Sequence, residues 1–463
     1  MQKSGFMTSR RERALYCLFF LGQNILWGFA GYVETFLTDI GLAAVTAGAL
    51  LVLPKLWDAI NDMFFGYIMD RISFKNGKKF LPWVRIGTMA IGLTTIALFA
   101  IPQSMTSGAK IAWFLIAYIL FDVSYTVLDA PAYALTTVMT SNVDERNSII
   151  AGSKLWGMVG GVVATLLVPM LRPKLGWFAA CVVFVAVSVA MMIPMLFSSK
   201  ERHRAMAEIE ENPGLKEIFA YLRHNKYLIV TLLAMLLLGI ASLEQKMAIY
   251  MARICLGNEG MAILVTGGAS VAVILVSIIV PMLARKWDKC LVLCAGLAFA
   301  IVMDIVTFFV GFNNIILVTI CTMLKCTGYG FWSVVIYMMV ADTVEYGTYK
   351  TGTRAAGISF SLQTFVAKLK NGIIGSVMLW SLASVGFVAG ENAVQPEGVA
   401  EGVWGLFCLL PAVGFAIALV ILLVFYKLRS ADVQVMAQYN NGQIDKADAE
   451  EILAAKYGPA GEK

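Results

Sequence analysis

Apolar stretches follow one another along this chain from end to end, each of about 20 residues or more and so long enough to cross a hydrocarbon core about 30 Å thick. Twelve are read, at about residues 14–37, 43–69, 83–102, 111–139, 148–171, 177–198, 228–252, 260–284, 290–310, 314–341, 357–385 and 402–426. Several exceed what a perpendicular crossing needs, which predicts tilt or kinks. The alternating apolar and polar register of a membrane barrel is absent, and helices are then the structure that can satisfy the backbone in lipid. The pattern predicts an all-α polytopic membrane protein whose twelve transmembrane helices form two six-helix bundles. Residues 1–198 would form the first bundle, 199–227 a polar linker, 228–429 the second bundle and 430–463 a polar tail with a short helix around Ala447 to Tyr457.

Composition agrees with the pattern. Of 463 residues, 59% are hydrophobic and 14% charged, against roughly 25% charged in a soluble domain. Forty glycines suit helices that must approach closely without a hydrophobic drive between them, and Gly157, Gly160 and Gly161 form one such patch. The first apolar run follows Arg10, Arg11 and Arg13, is too long for a signal-peptide core and has no small-residue cleavage site, so it is expected to remain as a span. The eight cysteines lack metal or redox spacing, and even Cys290 and Cys294, one turn apart, read as packing residues.

Charge in the short loops orients the chain. Arg71, Lys75, Lys78, Lys79 and Arg85 follow the second span, and Arg285, Lys286 and Lys289 follow the eighth. Since basic residues collect on the cytoplasmic side, both termini are expected there. The net charge of +6 then reflects insertion and implies no nucleic-acid partner. Both histidines fall in the central linker and no phosphate loop or metal motif is found, so the chain is not expected to be an enzyme.

Ionisable residues inside spans are expensive and mark functional sites. In the second span Lys55, Asp58 and Asp62 fall on one stripe with Asn61 beside it; a purely structural Lys55–Asp58 pair is the competing reading. In the fourth, Asp122, Thr126, Asp129 and Tyr133 share a face. There Pro131 leaves the carbonyl of Val127 without a helical donor. The fifth span adds Lys154, the tenth Lys325 and Trp332, and the eleventh Ser361, Thr364 and Lys368. Four acids (Asp58, Asp62, Asp122, Asp129) thus oppose four bases (Lys55, Lys154, Lys325, Lys368), a near-neutral set that an added ion would rearrange. Lys325 is equally well explained by a pair across the bundle. Glu244, Lys246 and Asp304 are read as structural.

The run Lys55-Leu-Trp-Asp-Ala-Ile-Asn-Asp62 with Gly66, Asp70, Arg71, Gly77, Lys78 and Lys79 resembles the signature of the glycoside-pentoside-hexuronide:cation symporters, the family of the melibiose permease. Tyr125-Thr-Val-Leu-Asp-Ala-Pro131, Asp342-Thr-Val-Glu-Tyr346, Thr351-Gly-Thr-Arg-Ala-Ala-Gly357 and Ser361-Leu-Gln-Thr-Phe-Val-Ala-Lys368 extend the resemblance over both halves. It implies a major facilitator fold and symport of a sugar or sugar acid with Na+ or H+ across a bacterial inner membrane, by a monomer without an organic cofactor. It also implies that Asp58 and Asp62 hold the cation, with Asn61 and Thr126 as neighbouring donors. Asp129, Lys154, Gln363, Thr364 and Lys368 match solute-site positions, Lys325 adds charge to that cavity, and Tyr133, Trp27 or Trp332 offer rings for stacking. Gly66, Asp70 and Arg71 would form a cytoplasmic latch. Two departures bear on the solute: Asn24, preceded by Gln23, stands where the melibiose permease has an acid, and Tyr133 stands where it has a tryptophan. Sodium-coupled lysolipid transport and a non-transporting membrane sensor are the alternatives.

Overall fold

The computed structural model describes residues 7–52, 54, 57, 65, 72, 74, 78–140, 142–202, 221–352 and 356–458. Among them every regular element is a helix, and nine helical runs are long and apolar enough to cross a membrane. One, Glu145–Ser198, has 54 residues and is interrupted at Gly176, whose φ of 76° and ψ of 169° leave the helical region. A side chain would be strained at that φ, so glycine marks the join between the fifth and sixth predicted spans. Much of the second predicted span lies outside the described residues.

The chain divides into two compact units. The first comprises Met1–Ile209, Asn258–Ile263 and Leu379–Glu397. Its helices are α1 (Arg10–Ala30), α2 (Val33–Asp39), α3 (Leu81–Phe99), α4 (Ser107–Met139) and α5 (Val143–Ser198). Caps fix two of the starts: the Ser9 hydroxyl accepts from the Glu12 N–H and the Thr106 hydroxyl from the Ala109 N–H, each contributing about 1 kcal/mol.

The backbone of α1 packs closely on α5 along a seam of small residues. An added Cβ at Gly160 would collide with the Leu21 carbonyl and lie 3.2 Å from the Asn24 Cβ. At Gly157 it would lie 2.8 Å from the Asn24 amide nitrogen, and at Gly28 2.5 Å from the Ala164 Cβ. Gly161, by contrast, faces open space.

At one end of this unit, Arg172 is 3% exposed yet pairs with Asp39, with Glu259 at 2.8 Å and with Glu391 at 2.9 Å. Its guanidinium lies 4.8 Å from the Trp177 ring centre, and the Trp177 N–H donates to Asp39 at 2.9 Å. Phe29, Phe36 and Phe99 pack around that tryptophan. One planar fork of five donors can serve three carboxylates, as a lysine could not.

The second unit comprises Glu210–Gly257, Leu264–Met378 and Gly398–Lys463. It contains α6 (Lys226–Ala241), α7 (Glu244–Ile254), most of α8 (Ala262–Lys286), α9 (Lys289–Val310), α10 (Ile315–Lys325), α11 (Thr327–Thr351), most of α12 (Ala356–Ser384), α13 (Val399–Phe425), α14 (Ser430–Asn440) and α15 (Lys446–Tyr457). The seventh predicted span is broken at Ser242, whose ψ of 50° leaves the helical region, whereas at Cys326 the tenth keeps helical dihedrals and the Cys326 N–H still reaches the Thr322 carbonyl at 3.0 Å. Met235, Leu238, Leu293, Leu297, Val335 and Met339 form the middle of the core.

The polar tail contains the expected helix at Lys446–Tyr457 and also α14. Met436 and Leu453 are fully buried, continuous with the core of the unit. Asp432 accepts from Lys456 at 3.0 Å and from the Tyr457 hydroxyl at 2.8 Å, and Tyr349 donates to the Gly458 carbonyl.

The seam makes a directional prediction. Gly161→Ala should be neutral or raise stability by up to about 1 kcal/mol, because it restricts the unfolded chain. Gly160→Ala should lower it by about 1–3 kcal/mol, because the methyl forces α1 outward. Thermal unfolding of the two purified variants in one detergent checks the contrast, and equal melting temperatures would contradict the seam.

Candidate functional site

The seam turns one polar face of α1 toward α4. There Gln23, 2% exposed, donates from its amide to an Asp129 carboxylate oxygen at 2.6 Å. Tyr125, one turn before Asp129 on α4, also hydrogen-bonds the carboxylate, and Lys154 on α5 acts on it electrostatically. The Lys154 ammonium lies 4.3 Å from the centre of the Tyr133 ring, and Tyr133 packs on Phe20 with centroids 4.6 Å apart. Trp27 lies over Tyr125 at 4.4 Å and keeps 38% of its surface exposed. Three helices thus bring one carboxylate, one ammonium, an amide and an accessible indole together. The Gln23 carbonyl oxygen is enclosed and has no hydrogen-bond partner.

The structure separates neighbours that the sequence grouped. Asn24 faces the seam, donating to the Phe20 carbonyl of its own helix at 2.9 Å, and Gln23 is the residue that reaches Asp129. The Thr126 hydroxyl donates to the Asp122 carbonyl at 3.2 Å, and Asp122 is itself buried. Asp58, Asn61, Asp62, Gly66, Asp70 and Arg71 lie outside the described residues, as does Lys55.

In the second unit, α12 carries Gln363, Thr364 and Lys368. Thr364 and Lys368 are exposed, the Thr364 hydroxyl donates to the Phe360 carbonyl, and the Gln363 carbonyl oxygen has no partner. Trp332 and Lys325 are not gathered with these residues. Trp332 is 1% exposed, its N–H donates to the Ser242 hydroxyl at 3.1 Å, and the Lys370 ammonium lies 4.9 Å from its ring centre. Lys325 is fully enclosed and pairs with Asp304 at 3.1 Å. This is the pair across the bundle that the sequence allowed for, and it leaves no face of Lys325 for a solute in this structure.

Sequence reasoning passed over Lys370 and weighted Asn24 above Gln23. The available signal was helical phase: Lys370 lies 38 residues beyond Trp332 with nothing linking them in sequence, whereas Gln23 sits about 100° from Asn24.

Comparison with known proteins follows the same lines. The family described as MFS/sugar transport protein matches residues 20–430. The chain is 26% identical over 441 residues to the isoprimeverose transporter of Lactiplantibacillus pentosus, covering 92% of this chain and 90% of the relative. It is 24% identical over 404 residues to the glucuronide carrier protein homolog of Escherichia coli K12, covering 86% and 88%. Among solved structures it resembles the nucleoside transporter NupG, with a TM-score of 0.66 at 14% identity over 90% of this chain and 99% of that one. A D-xylose-proton symporter gives 0.60 at 11% identity over 89% and 97%. At these identities the solved structures speak for the fold alone.

The two lysines should differ in reactivity. An amine-directed reagent applied to the folded protein should label Lys154, which is exposed, and leave Lys325 unlabelled, with peptide mass spectrometry as the readout. Labelling of Lys325 at the rate of Lys154 would contradict its enclosure.

Proposed function

This chain belongs to the MFS/sugar transport family and is a multi-pass secondary transporter of the major facilitator superfamily; from that premise we propose that it imports a glycoside, pentoside or hexuronide by alternating access, in symport with Na+ or H+. The observation that carries the reading is the Asp129 carboxylate, held by Gln23 and facing Lys154 beside an exposed Trp27. A sugar presents adjacent hydroxyls, and one carboxylate can accept from two of them while an ammonium donates to a third oxygen. The indole offers its face to the C–H side of the ring. Relatives named for isoprimeverose and for glucuronides support a solute of this size and polarity.

Coupling is assigned to Asp58 and Asp62 with Asn61 and Thr126. Several converging oxygens suit a metal cation, whereas a proton needs one carboxylate. Thr126 lies one turn before Asp129 on α4, so an ion drawing Thr126 away from the Asp122 carbonyl would shift the helix that carries the solute carboxylate. Occupancy of one site then changes the other, as symport requires. Basic loop residues support a bacterial inner-membrane location with both termini cytoplasmic, and nothing in this mechanism needs more than a monomer.

Asp129→Asn should weaken solute binding at least about tenfold, since charge-assisted hydrogen bonds contribute roughly 1.5–3 kcal/mol each. Lys154→Ala should weaken a hexuronide more than its neutral parent glycoside. Calorimetry with both ligands tests these, and unchanged affinity in both variants would remove the solute role. Asp58→Asn and Asp62→Asn should bind solute yet fail to accumulate it in vesicles under an imposed ion gradient. Wild-type accumulation by either would remove that residue from the cation site, while binding without any uptake by the unsubstituted protein would leave a sensor.

A further inference from the structure

Three ionisable side chains gather inside the second unit beside the break at Ser242. Glu244 opens α7 beyond that break, and Lys325 is the last residue of α10. Asp304, in the second half of α9, completes the group. The Lys325 ammonium lies 3.1 Å from one Asp304 oxygen and donates to the Phe407 carbonyl at 2.7 Å, 4.1 Å from the centre of the Phe407 ring. That carbonyl is free because Pro411, four residues later in α13, has no N–H to give it. The Glu244 carboxylate is close enough to act on both Lys325 and Asp304. The other titratable groups facing the cluster are the Cys326 and Cys408 thiols and the Tyr329 phenol.

The charges do not balance. Two carboxylates share one ammonium, Asp304 and Lys325 are wholly enclosed, and Glu244 is nearly so. The second Asp304 oxygen has no hydrogen-bond partner, and neither has the hydroxyl of Thr322, one turn before Lys325. An uncompensated buried charge is among the most expensive features a membrane helix can carry. A metal cation would have to settle against the lysine with few oxygens to hold it. A proton needs no extra room, cancels the surplus charge and turns an orphan acceptor into a donor.

We propose that Glu244, Asp304 and Lys325 form a proton-binding site of the second unit, in which one proton is carried by the two carboxylates in addition to those on the lysine. Broken helices are where secondary transporters gather their ions. Departure of this proton would leave unpaired charge beside the break at Ser242, which couples protonation to the junction of α6 and α7. The proposal is independent of the solute and cation assigned to the first unit.

Infrared spectroscopy of the purified full-length protein in lipid at neutral pH tests it. A protonated-carboxyl C=O band that shifts in D2O should be present and should disappear in Glu244→Gln and equally in Asp304→Asn, because each variant leaves one acid against one base. If one of the two fails to fold, the other decides. Lys325→Met should instead strengthen the band, both acids then being neutral. The proposal is overturned if neither acid variant loses the band, if Lys325→Met weakens it, or if added sodium displaces it in the unsubstituted protein.

Discussion

The close approach of α1 to α5 is the constraint on which the first unit depends. Lipid offers helices no hydrophobic reason to associate, so attraction must come from backbone proximity and from hydrogen bonds made there. Gly157, Gly160 and Ala164 supply a flat track, and α1 answers with Gly28 and the compact Asn24. Asn24 donates one amide hydrogen to the Phe20 carbonyl, which draws the side chain back along its own helix where it packs against Gly157 and Gly160. Gln23, next along the helix, is then directed at Asp129. Lys154 stands one turn before Gly157 on the same helix, so the seam that fixes the amide also fixes the ammonium.

The two units solve the problem of enclosed charge differently. Around Arg172 a large rigid cation draws three carboxylates from distant segments and adds an indole face. Around Lys325 a small cation is held by one carboxylate, a carbonyl released by proline and an aromatic ring. The first arrangement ties loops together by geometry. The second leaves acceptors unfilled, and so retains a response to its surroundings.

The spans were legible in the sequence because apolar runs of membrane length are seldom found outside a bilayer. Asp129 and Lys154 stood out as candidates because charge in such runs is rare, and Tyr133 because it shares the helical face of Asp129. The divisions at Ser242 and Cys326 were not drawn from the sequence, although polar residues adjoin both: Glu244, Gln245 and Lys246 follow Ser242, and Lys325 precedes Cys326. Both carry tertiary bonds: the Trp332 N–H takes the Ser242 hydroxyl, and Lys325 is drawn to Phe407. Helical phase identified the faces of Lys325 and Trp332 but could not say which neighbour each face would meet. The partners of Arg172 were hidden for a plainer reason, being acids in three separate segments, the nearest of them 87 positions away. In the tail, α14 escaped notice because its apolar residues are interspersed with polar ones in a short segment, and of Val433, Met436 and Tyr439 only Met436 is completely enclosed.

That tail also sets an order of events during synthesis. Tyr457 packs against Tyr227 and Tyr346, so an aromatic cluster begun at Tyr227 on α6 is closed by residues near position 457. Chains are made from the N-terminus, and the first unit can hold most of its contacts while the ribosome is still at work. The second unit cannot finish its core until the tail has emerged and folded back. Translation that stops short of α15 would therefore leave Tyr227 and Tyr346 without the Tyr457 ring that packs on them.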